Sequence, residues 1–142
     1  MEGKEFLIVA QKFVQMRSEA AIRSAESRAY YSAFITGRKL LRDLGISLLN
    51  DASIHEQVYR LLLNAGIQDI KDIAGSLKNL RKGRLQADYD MENRDFQSPT
   101  KCEFDLARAK LIIAQLENCY QQPLRNRLKN GIQAYEQKIS LH

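Results

Sequence analysis

An all-α fold, an antiparallel bundle of about five to six helices, is what this sequence predicts. Three observations carry that expectation. Apolar residues recur at helical spacing along nearly the whole chain, no stretch alternates convincingly at period two, and both prolines, Pro99 and Pro123, fall between periodic segments. At 142 residues, the chain suits one domain with a real core.

The first helix follows from Phe6, Leu7, Ala10, Phe13 and Val14. A longer segment from about Glu19 to Leu44 places Ile22, Ala29, Ala33, Leu40 and Leu44 on one stripe, with Tyr30, Phe34 and Leu41 beside it; Gly45 supplies the stop. Ser53 and Glu56 have capping-box spacing ahead of Val58, Tyr59, Leu62 and Leu63, and Gly66 closes that helix. The next begins near Ile67 and carries Ile70, Ile73, Ala74, Leu77 and Leu80. Thr100 and Glu103 repeat the capping-box spacing before an apolar stripe of Phe104, Ala107, Leu111 and Ala114. After Pro123 come Leu124, Leu128, Ile132, Tyr135 and Ile139, a last amphipathic helix. Residues 90–99 are the only long polar connection, and repeats and low-complexity tracts are absent. The second helix also carries many small residues, Ser24, Ala25, Ser27, Ala29, Ser32, Ala33, Thr36 and Gly37. They suit either close packing inside the bundle or a self-association face.

Composition narrows the function classes. Charged residues make up 27% of the chain and the hydrophobic share is 44%, so the chain is globular rather than disordered. A net charge of +5 is compatible with a nucleic-acid partner without requiring one. Cys102 and Cys119, seventeen positions apart with little histidine nearby, argue against a zinc site or a disulfide scaffold and suit a reducing cytoplasm. No metal or other cofactor is expected. The N-terminus is too short and too interrupted by charge for a signal peptide, and no apolar run approaches a membrane span, so a soluble cytoplasmic protein is expected.

The most informative stretch is LRKGRLQADYDM, residues 80–91. Extending the stripe Ile70, Ile73, Leu77, Leu80 by one turn lands on Arg84, and Arg81 lies on the edge of the same face. Burying a guanidinium is costly unless it is paired, and Asp88 stands four residues on, in reach if the helix continues that far. Arg84 and Asp88 then close a helix end, with Tyr89 as an apolar plug with a polar tip. The alternative is chemical. An arginine on a semi-apolar face is a good phosphate ligand, and Lys78, Arg81, Lys82 and Arg84 place four positive charges in seven residues with no acid among them. Such a patch tracks a nucleic-acid backbone, and neighbouring tyrosines stack on unpaired bases. His55, near a helix start, reads as a capping or surface residue.

Arg28-Ala29-Tyr30-Tyr31-Ser32-Ala33-Phe34, followed by Arg84-Leu85-Gln86-Ala87-Asp88-Tyr89-Asp90, resembles the HEPN domain, the higher-eukaryote and prokaryote nucleotide-binding helical bundle. The likeness covers roughly residues 5–120, with the helix at about 124–139 as an extension of a single domain. The resemblance implies a homodimer whose motif helices meet at the two-fold axis, and often a metal-independent endoribonuclease acting in defence or as a toxin. There, arginine and histidine stabilise the phosphate and assist attack by the 2′-hydroxyl. Carried over, Arg84, Asp88 and Tyr89 are the catalytic candidates, and Arg81, Lys82, Lys78, Arg28, Tyr30 and Tyr31 the RNA- or nucleotide-binding ones. Tyr89 stands where the family's histidine would stand. Because a tyrosine titrates near pH ~10, histidine-dependent cleavage does not carry over with it. Two further expectations follow: a non-catalytic RNA- or nucleotide-binding module, or the HEPN partner of a minimal nucleotidyltransferase in a toxin–antitoxin pair, with Tyr89 as the modified residue.

Overall fold

The computed structural model describes residues 2–141. They form α1 (Gly3–Gln15), α2 (Glu19–Asp43), α3 (Ile54–Leu63), α4 (Gln68–Tyr89), a single 3-10 turn (Arg94–Phe96), α5 (Thr100–Asn118) and α6 (Leu124–Ser140), with no strand among the described residues. The all-α bundle is therefore the fold, and no helix in it is long and apolar enough to cross a membrane.

α2 is the axis of the bundle, with α1, α4 and α5 packed around it and α3 laid against α4. Its small residues explain how so many helices approach it. Ala25, Ala29, Ser32 and Ala33 are fully buried, and a Cβ on Gly3 of α1 would run into Ser32 O and Thr36 Oγ1. The buried part of the small-residue stripe is thus filled by the chain's own helices, while Ser24, Ser27 and Thr36 stay partly exposed. Ser18 caps α2, its Oγ accepting from Ala21 N–H at 3.2 Å. At the other end Gly45, at φ +83°, takes the left-handed conformation that a Schellman closure needs. Ile46 N–H reaches Leu41 O at 3.0 Å and Gly45 N–H reaches Arg42 O at 2.9 Å.

Three expectations from the sequence are corrected. Neither capping box forms. Ser53 is already in the helical region with no side-chain cap, its own N–H being taken by Asp51 Oδ1 at 2.8 Å, and Glu56 pairs with Arg60 instead. Thr100 is the first residue of α5 and not its cap; Ser98 Oγ accepts its N–H at 3.4 Å. The apolar face of α5 is also a different one. Phe104, Ala107, Leu111 and Ala114 are exposed, while Cys102, Leu106, Ala109, Ile112, Ile113 and Leu116 are buried. The winning stripe holds more branched aliphatic residues, so turning that face inward removes more apolar surface from water.

The polar connection after α4 is held by one side chain. Arg23, buried in α2, donates to the carbonyls of Gln86, Ala87, Asp90, Met91 and Asn93 at 2.9–3.3 Å and pairs with Glu19 at 3.1 Å. Its guanidinium lies 5.0 Å from the ring centre of Phe96, which is fully buried. Gln86 and Ala87 lie in the last turn of α4 and the other three carbonyls in the loop after it, so one arginine ties the end of α4 to the connection beyond. The core formed this way is one cluster running from Leu7 to Ile132. α6 joins it through Leu128 and Ile132, with Gly131 pressed against Ala65 O after α3.

Candidate functional site

α4 stays helical to Tyr89, which decides the geometry of the 80–91 stretch. Arg84 Nε lies 3.0 Å from Asp88 Oδ2, one turn away, and Ser27 of α2 donates to that same oxygen at 3.2 Å. Yet the Nε–H does not aim at the carboxylate, and this buried atom is left without a hydrogen-bond partner. Two aromatic rings flank the guanidinium: its carbon lies 5.3 Å from the centre of Tyr31 and 5.6 Å from that of Tyr89. Arg84 is thus neither a free surface charge nor a fully satisfied core ion pair. It is oriented, largely desolvated and incompletely paired.

Beside it, α3 and α4 diverge into a groove of about 710 Å³. Leu77 and Leu85 give it an apolar bed, Tyr30, Tyr59 and Tyr89 aromatic walls, and Lys78, Arg81 and Lys82 a cationic side. Lys78 Nζ sits 5.2 Å over the Tyr59 ring, and Arg81 approaches Glu56 only to 3.9 Å, so neither charge is consumed by a close ion pair. Tyr89, 71% exposed, stands at the rim.

The sequence-predicted residues therefore separate. Arg84, Asp88, Tyr89 and Tyr31 meet in one cluster; Tyr30, Lys78, Arg81 and Lys82 line the adjoining groove. Arg28 is outside it: its guanidinium lies 4.8 Å over Phe13 of α1 and donates to Ser24 O. Tyr30 is almost fully buried, so only its edge contributes to the wall.

His55 is the residue the sequence reading misplaced. Far from capping α3, its Nδ1 is 2.6 Å from the Tyr30 hydroxyl, its ring stacks on Phe34 at 4.3 Å between centres, and it lines the groove. Partial burial, reinforced by Arg81, Arg84 and Arg38, holds its pKa below the ordinary histidine value, so it is neutral at pH 7. Burial pushes the Tyr30 hydroxyl far upward in the opposite sense, and it keeps its proton. A signal was present: His55, Tyr59 and Leu62 are spaced at i, i+4 and i+7, so the apolar stripe of α3 extends back onto the histidine as that of α4 extends forward onto Arg84.

No metal-ligating group of three or more His, Cys, Asp or Glu occurs among the described residues. Chemically, the arrangement offers cations and N–H donors for an anion, flat faces for stacking, and a neutral imidazole within the same groove.

No family model matches the chain, and no solved structure matches it. Over 160 aligned positions the chain is 28% identical to an uncharacterized protein of Methanocaldococcus jannaschii, the alignment covering 96% of this chain and 89% of the other.

Proposed function

We propose that the protein binds single-stranded RNA in the α3–α4 groove and cleaves it without a metal, as a divergent HEPN-type endoribonuclease of a toxin or defence system. The observation that carries this reading is Arg84. An arginine anchored beside a carboxylate and flanked by two tyrosine rings is a preorganised cation for a phosphate oxygen. Lys78, Arg81 and Lys82 supply the backbone attraction and Tyr59 and Tyr89 the base-stacking faces. In the reaction, the 2′-hydroxyl gives its proton to solvent and attacks the adjacent phosphorus, the 5′-oxygen leaves and takes a proton from solvent, and Arg84 holds the charge that grows on the phosphoryl oxygens. Asp88 orients Arg84. The HEPN resemblance places a second copy's motif helix against this one, and the two-fold arrangement belongs to the same proposal.

The exposure of Tyr89 favours a second reading, in which the protein is the partner of a minimal nucleotidyltransferase that modifies that hydroxyl.

Incubating wild type and Arg84→Ala with a mixed RNA pool and excess chelator tests the first reading. The expected result is fragments from wild type and a rate lower by about 100-fold or more in the variant. Intact RNA with both proteins refutes cleavage.

A further inference from the structure

The groove contains one group that the α4 motif does not supply and whose charge changes near neutral pH. Tyr30 keeps its proton, and the acceptor found for it is His55 Nδ1 at 2.6 Å. With Tyr30 donating, the neutral imidazole carries its own proton on Nε2 and is a hydrogen-bond donor through that atom. Phe34 fixes the ring plane from below and Tyr31 meets it edge-on, with centres 6.0 Å apart. The imidazole is therefore held in one tautomer and one orientation, in a groove whose charged side chains are Lys78, Arg81 and Lys82 against Glu56 and Asp90.

We propose that His55, set by Tyr30, donates a hydrogen bond to a phosphodiester oxygen of the bound strand, and that this contact couples strand binding to proton uptake. The proposal rests on the RNA-binding reading of the groove and extends it to a residue on α3. The charged and titratable groups facing His55 are Tyr30, Tyr31 and Arg38 from α2, Arg81 and Arg84 from α4, and Glu56 from its own helix. The three arginines oppose its protonation in the free protein. A phosphodiester bound among them cancels part of that field and faces the imidazole directly, so His55 takes up a proton at Nδ1 more readily when the groove is filled, the Tyr30 hydroxyl turning from donor to acceptor. By linkage, whatever raises the histidine pKa on binding must also tighten binding as pH falls through the interval between the free and bound values. A phosphodiester stays singly charged throughout this range, so the ligand contributes no titration of its own.

The experiment uses 2′-O-methyl oligouridylate, which lacks the nucleophile, so binding is read without cleavage. Fluorescence anisotropy at constant ionic strength, at about pH 5.5 and about pH 8, compares wild type with His55→Gln. Wild type is expected to bind roughly 3- to 10-fold more tightly at the lower pH and His55→Gln equally at both. An equal pH response in the two proteins, or none in wild type, overturns the role of His55 while leaving RNA binding standing. No binding at either pH overturns both. Should His55→Gln fail to fold, imidazole NMR of the wild type decides the question, since the chain has only 2 histidines and His142→Gln assigns the signals. A His55 titration that rises on saturation with the oligonucleotide supports the proposal, and one that does not move refutes it.

Discussion

The two faces of α4 handle charge in opposite ways. On the face toward α2 and α5, Lys101 Nζ lies 3.1 Å from Glu26 and 2.7 Å from Asp105, and both carboxylates are buried. Gly83 lets Glu26 lie directly against the α4 backbone, where any Cβ would collide with Glu26 Oε1. Arg23 spends its donors on five carbonyls and Glu19. On the other side of α4, Arg84 lies beside Asp88 between the rings of Tyr31 and Tyr89, Arg81 is loosely paired, and Lys78 and Lys82 border the open groove with α3. Cations that are already matched hold helices together; cations left partly unmatched around an accessible cavity are available to a ligand. The contrast locates the candidate site better than any single motif residue does.

The largest expected effect lies on the closed side. Arg23→Ala leaves the end of α4 and the 90–96 connection without their donor, and buried groups stripped of a partner carry their full desolvation cost. A loss of about 3 kcal/mol is expected in urea unfolding, of the kind seen when a buried charge network is broken. A change below about 0.5 kcal/mol would show that the arginine is only a surface ornament and break the comparison.

Glu26 gives a pH signature to the same side. Burial, followed by the hydrogen bond with Asp105 and then that residue's negative charge, raises its pKa from 4.5 to about 8 despite Lys101. The native state then holds a proton the unfolded state has released, so this contribution is full below 4.5 and is lost as pH rises through about 8. Wild type should therefore lose stability across that interval, and Glu26→Gln should flatten the profile, measured by unfolding at several pH values. An unchanged slope in the variant would place the titration elsewhere.

The smallest effect on stability belongs to the open side. Lys82→Ala removes an exposed rim charge and should alter stability by less than about 0.5 kcal/mol. It should nevertheless weaken single-stranded RNA binding and lower the salt slope by about 1. Equal binding by the variant would remove Lys82 from the interface.

Periodicity made most of the architecture legible. All six helices are where their apolar spacing puts them, and the 3-10 turn lies inside the polar connection. Cap chemistry was less readable: at Ser53 and Thr100 the spacing is right but the chain enters the helix elsewhere, because Asp51 and Ser98 take the N–H groups first. On α5 two apolar stripes compete, and only the packing against α2 decides between them. For the site, the one-turn extension to Arg84 was readable because its stripe is long. Arg28 looked equivalent by charge, but the helix turns it toward Phe13. The pairing of His55 with Tyr30 spans 25 positions, and no local pattern encodes such a contact.

The Arg23 clamp also changes the electrostatic landscape of the groove. A helix C-terminus concentrates roughly half a negative elementary charge on its last carbonyls, a field that would push an approaching anion away from the Tyr89 end. Arg23, itself paired with Glu19, gives two of those carbonyls, Gln86 and Ala87, a donor from the buried side. Part of the repulsive pole of α4 is thereby satisfied, and the charged side chains that line the groove are Lys78, Arg81 and Lys82 against Glu56 and Asp90. A buried residue of α2, bonded to the carbonyls of Gln86 and Asp90 in the groove wall, thus bears on how the rim receives negative charge.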